Sequence, residues 1–132
     1  MTRPYPGVPE SLRRLKDAGL KLGLLSNKAD AMVQLLCETY LPGLLDAAAG
    51  ERAGVPRKPD PTSLLEMVRR FGVKPEETVY VGDSEVDAAT ARNAGIRLVA
   101  VDWGFRTRAQ LRAAGAECIV SDLSALEREL LC

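Results

Sequence analysis

Histidine is absent from the 132 residues. That absence removes Ser-His-Asp triads, histidine-ligated zinc and imidazole general bases together. Cysteine is sparse: Cys37, Cys118 and Cys132 are far apart and odd in number, with neither metal-ligand spacing nor a disulfide framework. A reducing, cytoplasmic setting is therefore expected. No partner base is evident for a catalytic thiol, and the apolar neighbours Leu35 and Leu36 make Cys37 a core or helix residue. Neither sign of charge is in excess, because Lys plus Arg and Asp plus Glu number 18 each. No global field favours nucleic acid or an anionic membrane, so an anionic ligand must be held by local geometry. No apolar run approaches membrane-spanning length, and the first residues show no signal-peptide hydrophobic stretch. What is present is ordinary for a folded protein: 46% hydrophobic and 27% charged residues, against disorder, in a length that suits a single core domain over 1–132.

One local plan recurs along the chain. A helical pattern closes on Gly and a β-rich run follows. The junctions are Ala18-Gly19 before Leu20–Leu25, Phe71-Gly72 before Thr78–Val81, Ala94-Gly95 before Ile96–Val101, and Ala114-Gly115 before Cys118–Val120. Glycine after a last helical turn takes the left-handed conformation that ends a helix. The strand runs show little polar alternation, as expected where helices cover both faces of a parallel sheet. Alternating helices and strands of this kind predict an open, doubly wound α/β fold. Helix starts are expected around Pro9, at Asp30, at the cap Asp60 with Pro61 in the first turn, and at the caps Thr107 and Ser124. Ala47–Ala49 is a weak candidate strand, since alanine supports strands poorly.

Three stretches carry chemistry. In Val79-Tyr80-Val81-Gly82-Asp83-Ser84-Glu85-Val86-Asp87 a short apolar strand ends in a carboxylate, and a second carboxylate follows four positions later where a helix begins. Both can face one crevice at the carboxyl end of a parallel sheet, where hard oxygen ligands suit Mg²⁺ shared with a phosphate. The alternative is structural: Asp83 caps the helix and Asp87 stabilises its positive first turn. Leu25-Ser26-Asn27-Lys28 ends another strand with a hydroxyl and an amide, which can hold phosphate oxygens or simply satisfy a local turn. In Arg57-Lys58-Pro59-Asp60-Pro61 two prolines stiffen the loop around a lysine, a compact charge that can meet a phosphoryl group or face solvent.

In order and character these stretches resemble the second, third and fourth motifs of the haloacid dehalogenase superfamily of phosphohydrolases, nearest its phosphoglycolate-phosphatase-like branch. Tyr5-Pro6-Gly7-Val8 looks like the re-entry into the core after a helical cap, and Val101-Asp102-Trp103-Gly104-Phe105 like a loop after the next strand. The resemblance implies a three-layer Rossmann-like core with a mostly parallel sheet. It implies a Mg²⁺-dependent phosphate-monoester hydrolase acting on a small phosphorylated metabolite. By the same resemblance Ser26 and Asn27 bind and shape the phosphoryl site, and Lys58 neutralises charge as a catalytic and phosphate-binding residue. Asp83 coordinates the metal, and Asp87 holds the metal or its waters.

One piece of the family pattern is absent. Its first motif, an Asp-x-Asp at the end of the first strand, supplies the nucleophile and the general acid and base, and no pair of aspartates at that spacing occurs in the chain. Without a nucleophile the aspartyl-phosphate route cannot run. In the family the missing strand lies between those carrying Ser26 and Asp83, so two strand edges are expected to face a gap and to invite self-association. The expected object is a partial core, without first strand and cap, that is inactive alone. The alternative is a non-catalytic phosphate- or partner-binding module. A receiver-like or dinucleotide-binding module fits less well, since neither a phospho-acceptor beside an acidic pair nor Gly-x-Gly-x-x-Gly is found.

Overall fold

The structure, a computed structural model, describes residues 6–104 and 106–131. Tyr5, Phe105 and Cys132 of the sequence reading lie outside them. Six helices, α1 (Val8–Asp17), α2 (Asp30–Tyr40), α3 (Thr62–Phe71), α4 (Glu85–Ala94), α5 (Arg108–Ala113) and α6 (Leu123–Leu131), alternate with five strands among the described residues. The strands are β1 (Gly23–Ala29), β2 (Ala47–Glu51), β3 (Val79–Gly82), β4 (Arg97–Val101) and β5 (Ile119–Val120), and every pairing is parallel. All four junction glycines have positive φ, between 71° and 101°. No described helix is long and apolar enough to cross a membrane.

Strand alternation distributes the core. Along β4, Val99 and Val101 pack with Val120 and Leu126 of α6, while Ala100 meets Leu111 and Ala116 around α5. Leu64, Val68 and Ile96 form a cluster under α3 and α4, joined by Leu25 of β1 and Tyr80 of β3. On β1 and β2, Ala47 and Ala49 face Met67 of α3, and α2 covers the opposite side with the buried Val33. Helices thus cover both faces in three layers, which is why the strands read as near-continuous apolar runs. Trp103 packs against the Val99–Leu126 cluster, as apolar packing predicts.

Among the described residues the strands form two sheets, β1–β2 and β3–β4–β5. β1 and β3 therefore each have a ladder partner on one side, and α3 spans beneath both through Leu25 and Tyr80.

Three local readings shift. β1 continues through Ser26, Asn27 and Lys28 to Ala29 instead of ending at Leu25, with an irregular register between Leu25 and Ala29 that absorbs the polar residues. Ser124 lies inside α6; Asp122 makes the cap, its Oδ1 accepting from the Ala125 N–H at 2.7 Å. Asp60 does accept from the Thr62 N–H at 2.9 Å, but α3 begins after Pro61. Thr107 caps α5 in a reciprocal box with Gln110.

Candidate active site

The carboxyl end of β3 turns directly into α4. Ser84, not Asp83, is the N-cap, its Oγ accepting from the Asp87 N–H at 3.3 Å. Asp87, in the first turn, is buried and reaches back: its Oδ2 accepts from the Asp83 N–H at 3.0 Å and from Ser84 Oγ at 3.2 Å. The structural alternative for Asp87 is thus realised in part, because the first-turn carboxylate ties down the turn that leads into α4 through the Asp83 N–H and the Ser84 hydroxyl.

Asp87 Oδ1 points the other way and meets Lys58. Lys58 Nζ lies 2.7 Å from it, with the two side chains only 13% and 10% exposed. This pair joins the proline-clamped loop to the β3–α4 turn. The Tyr80 hydroxyl, from the middle of β3, donates to the same Oδ1 at 3.0 Å and accepts from Lys58 Nζ at 3.1 Å. The main chain of Lys58 is held separately: its N–H donates to Asn27 Oδ1 at 3.1 Å, and Asn27 Nδ2 donates to its carbonyl at 3.4 Å. Asn93 Nδ2 of α4 donates to the Pro59 carbonyl at 3.0 Å. Ser26 Oγ accepts from the Lys28 N–H at 3.1 Å, and Ser26, Asn27 and Lys58 line one small cavity with Gly50 and Ser63.

Five sequence-predicted residues are therefore linked from three distant stretches. Asn27, Lys58 and Asp87 form a continuous chain of hydrogen bonds, Asp83 joins it through its backbone, and Ser26 shares the Lys58 cavity. Arg57 is mostly exposed and 3.7 Å from Glu51, as a solvated residue would be. Arg106 makes a two-pronged pair with Glu85 at 2.7 and 2.9 Å and is engaged by the protein itself. Cys37 is a half-buried helix residue whose thiol burial pushes upward in pKa, so it is less nucleophilic than a free thiol.

The two aspartates titrate in opposite directions. Burial raises the Asp83 carboxyl, the negative charge of Asp87 adds to this, and Lys58 offsets only part of it. For Asp87 burial also acts upward, but the hydrogen bond and charge of Lys58 win and hold it below the ordinary value. Burial and the Asp87 charge push the Tyr80 hydroxyl upward, so it keeps its proton. An acidic side chain carrying an uncompensated penalty beside a second carboxylate is the electrostatic state that a bound cation relieves. The donors are hard oxygens, as Mg²⁺ requires. Among the described residues no group of three or more Asp, Glu or Cys gathers as a metal cage.

Sequence reasoning missed Tyr80, Asn93 and Gly104. Tyr80 had a readable signal: a hydroxyl inside an apolar strand, on the face opposite Val79 and Val81. Asn93 and Gly104 had none, because their importance arises only from what folds against them. At Gly104 a Cβ would meet Asp83 Oδ2 at 2.5 Å and its Cβ and Cγ at 3.0 Å, so a larger residue there would push the Asp83 side chain aside.

Comparison with known proteins shows the family and the fold. The haloacid dehalogenase-like hydrolase family profile matches residues 1–101. A phosphoglycolate phosphatase of Mesorhizobium japonicum is 39% identical over 130 residues, covering 98% of this chain and 57% of the relative. One of Cereibacter sphaeroides is 40% identical over 107 residues, 80% of this chain and 48% of the relative. A Lactobacillus delbrueckii crystal structure, whose own assignment as a phosphoglycolate phosphatase is an inference, superposes with a TM-score of 0.96 at 42% identity. It covers 98% of this chain and 54% of that one. The chain spans about half the length of the relatives it matches.

Proposed function

This chain belongs to the haloacid dehalogenase-like hydrolase family, and on that premise we propose that it forms the phosphate- and metal-binding part of a Mg²⁺-dependent phosphate-monoester hydrolase of the phosphoglycolate phosphatase type. The observation that carries this reading is the 2.7 Å contact of Lys58 with Asp87, which brings the second, third and fourth motif residues to one end of the strands. The relatives' names point to a small phosphorylated metabolite such as phosphoglycolate as the substrate class. A cytoplasmic location suits that class and the absence of a disulfide framework in the sequence.

Each residue then has a task. Ser26, whose oxygen already accepts from Lys28, has its hydroxyl proton left for a phosphoryl oxygen. Asn27 fixes the Lys58 main chain, and the Lys58 ammonium compensates phosphoryl charge. Asp83 would hold the metal; Asp87, whose oxygens each already accept two donors, would meet the metal or its waters only by releasing one of them. When bound there, Mg²⁺ supplies charge compensation to the phosphoryl oxygens. The nucleophilic carboxylate is not among these residues, since no Asp-x-Asp occurs in the chain, and binding and chemistry draw on different groups. The isolated chain is thus a binding unit with little or no turnover.

The test is a phosphatase assay of this chain beside a version extended at its N-terminus by the remaining part of the Mesorhizobium relative. Mg²⁺ and phosphate binding by both, with turnover by the longer form alone, is expected. Turnover by the short form would overturn the missing-nucleophile argument, and an equal Mg²⁺ response of wild type and Asp83→Ala would remove the metal assignment. The separation of β1–β2 from β3–β4–β5 favours a second reading, a non-catalytic module whose open strand edges take a partner or a second copy. Binding without turnover in both forms, with a dimer by light scattering, would select it.

A further inference from the structure

We propose that Tyr80 is a positioning residue whose hydroxyl locks the Lys58 ammonium against Asp87 and thereby sets the direction from which Lys58 meets a phosphoryl oxygen. This rests on the reading of Lys58 as a phosphate-binding residue. The ring of Tyr80 is fixed first. It stands on β3 opposite Leu98 of β4 and packs against Leu64, Val68 and Ile96 beneath α3. Phenylalanine would satisfy those contacts equally, so the hydroxyl needs a separate account.

Its partners supply one. Tyr80 Oη, Lys58 Nζ and Asp87 Oδ1 close a triangle with sides of 3.1, 2.7 and 3.0 Å. An ammonium has three N–H bonds; one is taken by Asp87 and one by the tyrosine oxygen, which leaves a single defined direction for a ligand. Asp87 is likewise fully assigned, with two donors on each oxygen: Lys58 and Tyr80 on Oδ1, Asp83 N–H and Ser84 Oγ on Oδ2. A lysine stem has many rotamers and a head that rotates freely. A single ion-pair contact fixes the distance of such a head, and the second contact fixes its orientation.

The experiment compares Tyr80→Phe with wild type in the full 132-residue chain, with Lys58→Ala as the control that assigns signals. The first readout is solvent exchange of the Lys58 Nζ protons by ¹⁵N-resolved NMR. Exchange in wild type is expected to be slow enough to detect, and about tenfold faster in Tyr80→Phe, the loss of one hydrogen bond. The second readout is the affinity for inorganic phosphate with Mg²⁺, expected to weaken about tenfold in Tyr80→Phe and further in Lys58→Ala. Unchanged Nζ exchange in Tyr80→Phe, or no slowly exchanging Lys58 signal in wild type, overturns the proposal, even if the variant is less stable. A freed ammonium together with phosphate binding insensitive to Lys58→Ala sustains the Tyr80 lock and sinks the phosphate reading instead. If Tyr80→Phe fails to fold, Tyr80→Met, which also fills the space without a hydroxyl, gives the same two readouts.

Discussion

Asp83 and Asp87 stand four positions apart with the same side chain, and the fold treats them oppositely. Asp87 keeps its charge because Lys58 compensates it; Asp83, open to solvent on one side but beside that charge, is penalised for ionising. The signs follow from linkage. The Asp87 contribution to stability is present above the ordinary carboxylate value of 3.8 and is lost as pH falls through its lower folded value. The Asp83 cost is absent below 3.8 and grows as pH rises towards its raised folded value, above which it is complete. Asp83→Asn is therefore expected to stabilise the metal-free chain slightly at pH 7, by less than about 1 kcal/mol because solvent screens an exposed carboxylate, seen as a small rise in melting temperature. The same substitution should abolish the rise in melting temperature that Mg²⁺ gives the wild type. Thermal melts with and without Mg²⁺ at pH 7 measure both; a destabilised Asp83→Asn would show that Asp83 serves the fold instead of a ligand.

At the scale of elements, the helices were the most legible part of the chain. Their closing glycines need positive φ, a backbone requirement written in the residue type itself, and all four junctions conform. Boundaries set by side-chain competition were less legible: Asp122 and Ser124 are both good caps, and Asp122 prevails. The irregular end of β1 also escaped, since it depends on pairing with β2. Contacts between distant helices could not be read at all. Glu127 of α6 binds Arg14 of α1 through bonds of 2.6 and 2.9 Å and accepts from Ser11 Oγ at 2.8 Å. Arg14, helped by Ser11, holds the Glu127 carboxyl down at about 2, against an ordinary 4.5. Because the folded value is depressed, this clamp stabilises above pH 4.5 and its contribution fades as pH falls towards 2. Arg14 is 58% exposed, and solvent screening keeps the effect small. Glu127→Gln should lower the urea midpoint slightly at pH 7 and converge with wild type near pH 2; a difference independent of pH would mean the ion pair is not its cause.

For the whole molecule, the decisive feature is the divided sheet. Among the described residues β4 has neighbours on both sides, whereas β1 and β3 have one each. Amide hydrogen exchange should therefore find β4 most protected, with the outward amides of β1 and β3 exchanging faster, because an unpaired edge opens without breaking a ladder. A strand bound between the two sheets, from a longer form or another copy, should slow both edges together. Uniform protection of β1, β3 and β4 in the monomer would contradict an open gap. The cluster of Leu64, Val68 and Ile96 explains how the halves stay together, since it touches β1 through Leu25 and β3 through Tyr80.

The amino-acid sequence by itself determined the alternation of helices and strands, the ends of the helices and the three motif stretches. These depend on local periodicity, on glycine at closing turns and on residue types at short spacing. The gap between the strands of Ser26 and Asp83 was expected from the missing first motif, and the two sheets conform to it; tertiary structure alone decided that Asp87 reaches Lys58 and Tyr80, that Asn27 grips the Lys58 main chain and that Gly104 lies against Asp83. Each of these joins residues far apart in the chain, and local residue preferences do not fix such contacts.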